Sequence, residues 1–127
     1  MWFAASVLKV VRWTRRQQST FPVYETVFIV EADNFEQAEE EALRMAQAEV
    51  EAGDDLTYFD EPAKAELLGI RKLNLMWSAD LESDPGMQPP SHGTEVIESF
   101  YEVEGEDRLA KLVAGERVTV SYVDDAD

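Results

Sequence analysis

Between Trp2 and Trp13 the apolar residues follow no single parity: Trp2, Ala4, Leu8 and Val10 fall on one side of an extended chain, and Phe3, Ala5, Val7, Val11 and Trp13 on the other. Such a run predicts a strand that is either central and buried on both faces or keeps one face for a partner. The polar, basic stretch from Thr14 to Pro22 reads as a loop, and Tyr24, Thr26, Phe28, Val30 and Ala32 then repeat every second residue as a second strand, closing a hairpin. Here the period changes. Asp33 or Asn34 can cap a helix, with Glu36 three residues after Asp33 as in a capping box, and Phe35, Ala38, Ala42, Met45 and Ala46 follow at helical spacing up to Gly53. After a turn at Asp60, Glu61 and Pro62, Lys64 to Trp77 reads as a long strand, with Gly69 suggesting a bulge or bend.

Ser78 to His92, with Pro89 and Pro90 in sequence, reads as a long, mobile loop. Glu95 to Tyr101 alternates as a strand, and Leu109, Leu112 and Val113 give a short helix its apolar face, with Asp107 as candidate cap and Gly115 as stop. Arg117 to Val123 reads as a last strand with Val118, Val120 and Tyr122 inward, followed by an acidic tail at Asp124 to Asp127. The order is β-β-α-β-β-α-β over one domain, residues 1–127. This predicts an α+β fold: an antiparallel sheet of four to five strands with both helices on one face. The apolar opening contains Lys9, lacks a preceding basic segment and is too short to span a membrane, so a cytoplasmic protein is expected.

Charge sharpens this picture. The chain carries 27 acidic and 11 basic residues, a formal net charge of −16. The first 32 residues are slightly basic, through Lys9, Arg12, Arg15 and Arg16; the excess of acid lies in the first helix and in the stretch after Ser78. Repulsion of this size opposes nucleic acid and anionic membranes, since each adds negative charge, and makes a basic protein the natural partner. The candidate partner-binding residues are Glu36, Glu39, Glu40 and Glu41 on the helix and Asp80, Glu82 and Asp84 in the loop. A solvated helix face is the plain alternative for the first four. For self-association into a homodimer, the two-sided first strand offers Trp2, Phe3 and Trp13.

The order of several short stretches resembles a family of small bacterial proteins described only as domain of unknown function 4288. They are Trp2-Phe3-Ala4-Ala5, Tyr24-Glu25-Thr26-Val27, Glu36-Gln37-Ala38-Glu39-Glu40-Glu41-Ala42, Leu68-Gly69-Ile70 and His92-Gly93-Thr94-Glu95-Val96. The likeness extends from about Trp2 to Tyr101, and the loop before His92 and everything after Tyr101 read as additions. The resemblance implies a compact α+β fold and no activity.

Reactive chemistry is sparse. With no Cys and a single His, thiolate chemistry, Ser-His or Cys-His nucleophile pairs and Cys/His zinc sites fall away. Asp80, Glu82 and Asp84 alternate ahead of Gly86 as in a calcium loop, but the glycine falls one position late and Ser91 stands where a bidentate Glu is needed. His92 and Glu95 could be drawn as an acid/base pair, yet a turn at His92-Gly93 accounts for them without chemistry. No catalytic residue, cofactor site or metal site is assigned. The expected function is a non-catalytic interaction domain for a basic partner, in its sharpest form an inhibitor or immunity-type protein against a basic nuclease toxin. The alternatives are a structural homo-oligomer, or a carboxylate-based enzyme or small-ligand binder.

Overall fold

The computed structural model describes residues 1–53, 56–58, 61–77, 92–93 and 95–123. Its strands are β1 (Trp2–Trp13), β2 (Thr20–Glu31), β3 (Leu56–Tyr58), β4 (Glu61–Trp77), β5 (Glu95–Glu104) and β6 (Ser121–Tyr122). The helices are α1 (Phe35–Ala52) and α2 (Glu106–Val113). Every strand pair is antiparallel, and the sheet order is β3-β4-β1-β2-β5-β6. The α+β class and its β-β-α-β-β-α-β backbone of long elements follow as expected, with β3 as a short addition. The loop 78–92 lies outside the described residues except for His92, and so does the tail 124–127.

β1 is central, and that accounts for its two-sided apolar pattern. Phe3, Ala5 and Val7 join Phe28, Val30 and Ala32 of β2 under Ala38, Ala42 and Ala46 of α1. Leu8 and Val10 join Phe21 and Val23 of β2, Tyr101 and Val103 of β5, and Leu109 and Leu112 of α2. The β1–β2 register is unbroken from Trp2↔Glu31 to Val10↔Val23, so these two sets occupy opposite faces of one sheet. The helices therefore cover opposite faces, not one as expected. The physical reason is parity: α2 presents its leucines to the even positions of β1 and α1 its alanines to the odd ones.

Two further expectations are corrected. Trp2 is 4% exposed and Phe3 fully buried, so neither presents a surface for self-association; Trp13 is half-buried at the strand's far end. Of the anticipated last strand only Ser121–Tyr122 pairs with β5. Val118 and Val120 pack against the second core as expected, but Tyr122 is 71% exposed instead of inward.

Local chemistry explains the boundaries. Asn34, not Asp33, caps α1: its Oδ1 accepts the Gln37 N–H at 2.8 Å, while Gln37 Oε1 reaches back to accept the Asp33 N–H at 2.6 Å, a variant of the anticipated capping box that is set one residue later and bonds the residue before the cap. α2 begins after Gly105 with no side-chain cap, leaving Asp107 in its first turn. It ends at Gly115 (φ +82), with the Gly115 N–H donating to Leu112 C=O and the Glu116 N–H to Lys111 C=O, the paired bonds of a left-handed helix stop. Pro22 lies inside β2 without harm, because the β1–β2 ladder ends at Val10↔Val23 and no donor toward β1 is needed beyond it.

Candidate functional site

β4 pairs with β1 from Ala63↔Trp13 to Trp77↔Trp2 with register shifts between Trp2 and Phe3, Ser6 and Val7, and Leu8 and Lys9. Each shift inserts a residue on β4, and the middle one is Arg71, lying between Ile70 and Lys72 without a partner on β1. The bulge turns Arg71 to the α2 face, where it meets Glu25, the one acid in an apolar row with Val23 and Val27. Arg71 Nε donates to Glu25 Oε2 at 2.8 Å and Nη2 donates to the same oxygen; the Tyr101 hydroxyl donates to Glu25 Oε1 at 2.7 Å. Glu25 is only 9% exposed, so both oxygens of a buried carboxylate are satisfied by one cation and one hydroxyl. Burial, and then the hydrogen bond to Glu25, push the Tyr101 hydroxyl well above the ordinary tyrosine range; the same carboxylate raises Arg71.

This cluster floors an open cavity of about 550 Å³, walled by Leu112, Tyr122 and residues 115–120. Tyr122 stands edge-on to Tyr101 with ring centroids 5.6 Å apart. Of the two carboxylates that line the cavity, Glu25 is engaged on both oxygens, whereas Glu116 lies exposed on the wall; the Tyr101 phenol holds its proton. Sequence reading missed this site. Glu25 facing the core parity was a signal, but its partners come from 46 and 76 residues away and are brought in by a bulge.

The acidic residues singled out from sequence are placed differently. Glu36, Glu39 and Glu40 are exposed on α1 and make no ion pair among the described residues. Glu41 is half-buried: Arg44 Nη2 hydrogen-bonds its carboxylate and holds it below the usual carboxylate range, and His92 Nε2 lies 3.7 Å away. His92 sits in a turn, where its Nδ1 accepts the Glu31 N–H at 2.9 Å and the Gly93 N–H donates to Ile29 C=O at 2.7 Å. Asp80, Glu82 and Asp84 lie outside the described residues.

A second acidic row lies on β5, inside the acidic stretch after Ser78. β5 alternates Glu98, Phe100, Glu102 and Glu104 on the α1 side, and Phe100 stacks on Tyr24 of β2 with ring centroids 4.5 Å apart. Glu98 accepts the Thr26 hydroxyl at 3.2 Å, fixing its carboxylate beside the stack.

The architecture defines a small antiparallel α+β domain with a helix on each face of its sheet, and no helix among the described residues is long and apolar enough to cross a membrane. The chain belongs to the family described as Domain of unknown function (DUF4288), whose model matches residues 2–97. No curated protein and no solved structure matches it. The family match stops within β5, so α2 and the segment that walls the cavity lie beyond it.

Proposed function

We propose that this protein is a cytoplasmic, non-catalytic interaction domain whose acidic α1–β5 side binds a basic protein partner, an inhibitor or immunity-type protein being the sharpest form. The observation that carries the reading is how the chain's own cations are used. Six of the chain's 11 cations are held by its own acids: Lys9 pairs with Glu49, Arg12 with Glu66 and Glu106, Arg16 with Glu61, Arg44 with Glu41, Arg71 with Glu25 and Arg108 with Glu104. The negative excess that remains includes Glu36, Glu39 and Glu40, whose carboxylates are open to a foreign cation. Exposed carboxylates around an aromatic stack suit lysine and arginine side chains, which combine charge attraction with contact to the ring faces.

The cavity at Glu25 supports a small-ligand reading less well, because its buried carboxylate is already satisfied and the cavity is open to solvent. The test is kinetic. With a basic partner identified by capture from its native cell, raising salt from low to physiological slows association about tenfold or more while dissociation changes less, as screening over about 8 Å requires. Reversing Glu36, Glu39 and Glu40 to Lys reproduces that loss. Association unaffected by both salt and reversal leaves the acidic side a solubility device and removes the reading.

A further inference from the structure

β6 protects only the end of β5. Tyr101 faces Tyr122, Glu102 faces Ser121, and the Val123 N–H donates to the Phe100 carbonyl at 3.2 Å. That last bond fixes the direction of the other backbone groups. In an antiparallel ladder the N–H and C=O of a residue point to the same side and alternate along the strand. Phe100 and Glu102 therefore turn theirs toward β6, and Glu98 turns its own to the same edge, where no strand among the described residues pairs with it.

Around Glu98 this edge is in register, with a single shift at its Glu95 end. β2 and β5 stay in register from Thr20↔Glu104 to Val27↔Ile97, and the one irregularity comes only after Ile97. The outer edge of β4 differs, because three register shifts break its repeat, and bulges are how sheets spoil an edge as a template for a new strand. The side chains at the β5 edge are sorted by face. Glu98 and the Tyr24–Phe100 stack lie on the α1 side, while Ile97, 56% exposed, lies on the other, next to Val96 at 57%.

The geometry points to the β5 edge, centred on Glu98, as a docking site for an extended basic segment of another protein that adds to the sheet as a strand. Lysine or arginine occupies the parity that faces Glu98, and aliphatic side chains the parity that faces Ile97. This rests on the basic-partner reading above and names where and how that partner binds. Main-chain bonds to Glu98 supply affinity, and the alternation of carboxylate and aliphatic positions supplies register. A second copy of this chain fits the edge poorly, because two β5 strands side by side bring their Glu95 and Glu98 carboxylates together, and like charges across a ladder are unfavourable.

Calorimetric titration of the wild-type chain with a synthetic peptide of about eight residues alternating Lys and Val, an ordinary strand length, tests this. The control is the same peptide N-methylated at every second amide, which keeps charge and side chains but cannot extend the ladder. The N-methylated peptide is expected to bind about tenfold more weakly or worse. Glu98→Pro, which removes the outward N–H, should lose affinity for the parent peptide well beyond Glu98→Gln, which removes only charge. Equal binding of the two peptides, or of the two variants, overturns edge docking and leaves the basic-partner reading standing, since charge alone then accounts for the complex. A Glu-Val peptide that binds as well as the Lys-Val peptide overturns both. Wild-type dimerisation at micromolar concentration that Glu98→Pro abolishes gives the edge to a second copy and overturns the basic occupant. Should Glu98→Pro fail to fold, the peptide pair on the wild-type chain still decides.

Discussion

At Glu25 a carboxylate lies 9% exposed within a sheet, tolerable because Arg71 and Tyr101 together occupy both oxygens. Removing one partner is worse than removing the whole pair, since it leaves a charge without compensation. Arg71→Ala is therefore expected to cost about 2–3 kcal/mol, below the fully buried range because its side chain is 30% exposed and water reaches it. The double variant Glu25→Leu/Arg71→Met should cost less than Arg71→Ala alone; urea unfolding of the variants measures both, and a double variant worse than the single would contradict the argument. Tyr101 adds a pH signature. Its hydroxyl titrates higher in the folded chain than in the unfolded one, where tyrosine titrates near about 10, so the native state binds this proton more tightly. The associated stability is complete below that value and is lost as pH rises toward the folded pKa. Tyr101→Phe should lower stability at neutral pH by about 1–2 kcal/mol and flatten the alkaline decline.

Among the elements, β4 and α2 are coupled through one glycine. A Cβ on Gly69 would lie 2.7 Å from Val113 Cγ2, and its φ of +147° is one that side chains rarely adopt. Gly69→Ala should cost about 2–3 kcal/mol, combining backbone strain with displacement of α2. Val113→Ala in the same chain should recover the steric share and leave the strain. A double-mutant cycle read by thermal unfolding checks this, and purely additive effects would show that the close approach does not matter. α1 depends on a local device instead. Asn34→Ala removes the acceptor for the Gln37 N–H and should cost about 1 kcal/mol, seen as lost helical circular dichroism on mild heating.

For the whole molecule, the second core depends on residues beyond the family match. Leu109 and Leu112 close it over Leu8, Val10, Val23 and Val103, and burying each leucine contributes about 1.5–3 kcal/mol. Deleting residues 105–127 uncovers that face and should abolish cooperative unfolding or drive aggregation, visible by light scattering; a stable, monomeric, cooperatively folded truncation would refute it. The net charge of −16 acts on the same scale. Self-repulsion opposes compaction, so moderate salt should raise the urea midpoint, whereas a surface governed by its internal ion pairs would lose stability instead.

The sequence by itself determined the element types, most of their boundaries and the α+β class, because those follow from periodicity, caps and turn residues, which act over a few positions. It also narrowed β1, through its mixed parity, to a strand buried on both faces or one with a face kept for a partner, which the sheet order decided, and it made Gly69 legible as a bulge or bend. It did not reveal which face each helix would take, since an amphipathic stripe says that a face is covered but not which parity of the sheet it meets. The Glu25–Arg71–Tyr101 cluster was likewise out of reach: Arg71 reaches Glu25 only because an extra residue in β4 turns it to the other face. That no strand among the described residues pairs with β5 at Glu98 is also a tertiary decision. Arg117 to Val123 has the alternation of a full strand, but packing of Val118 and Val120 against the second core leaves only Ser121 and Tyr122 to pair, and the backbone of Glu98 is left facing outward.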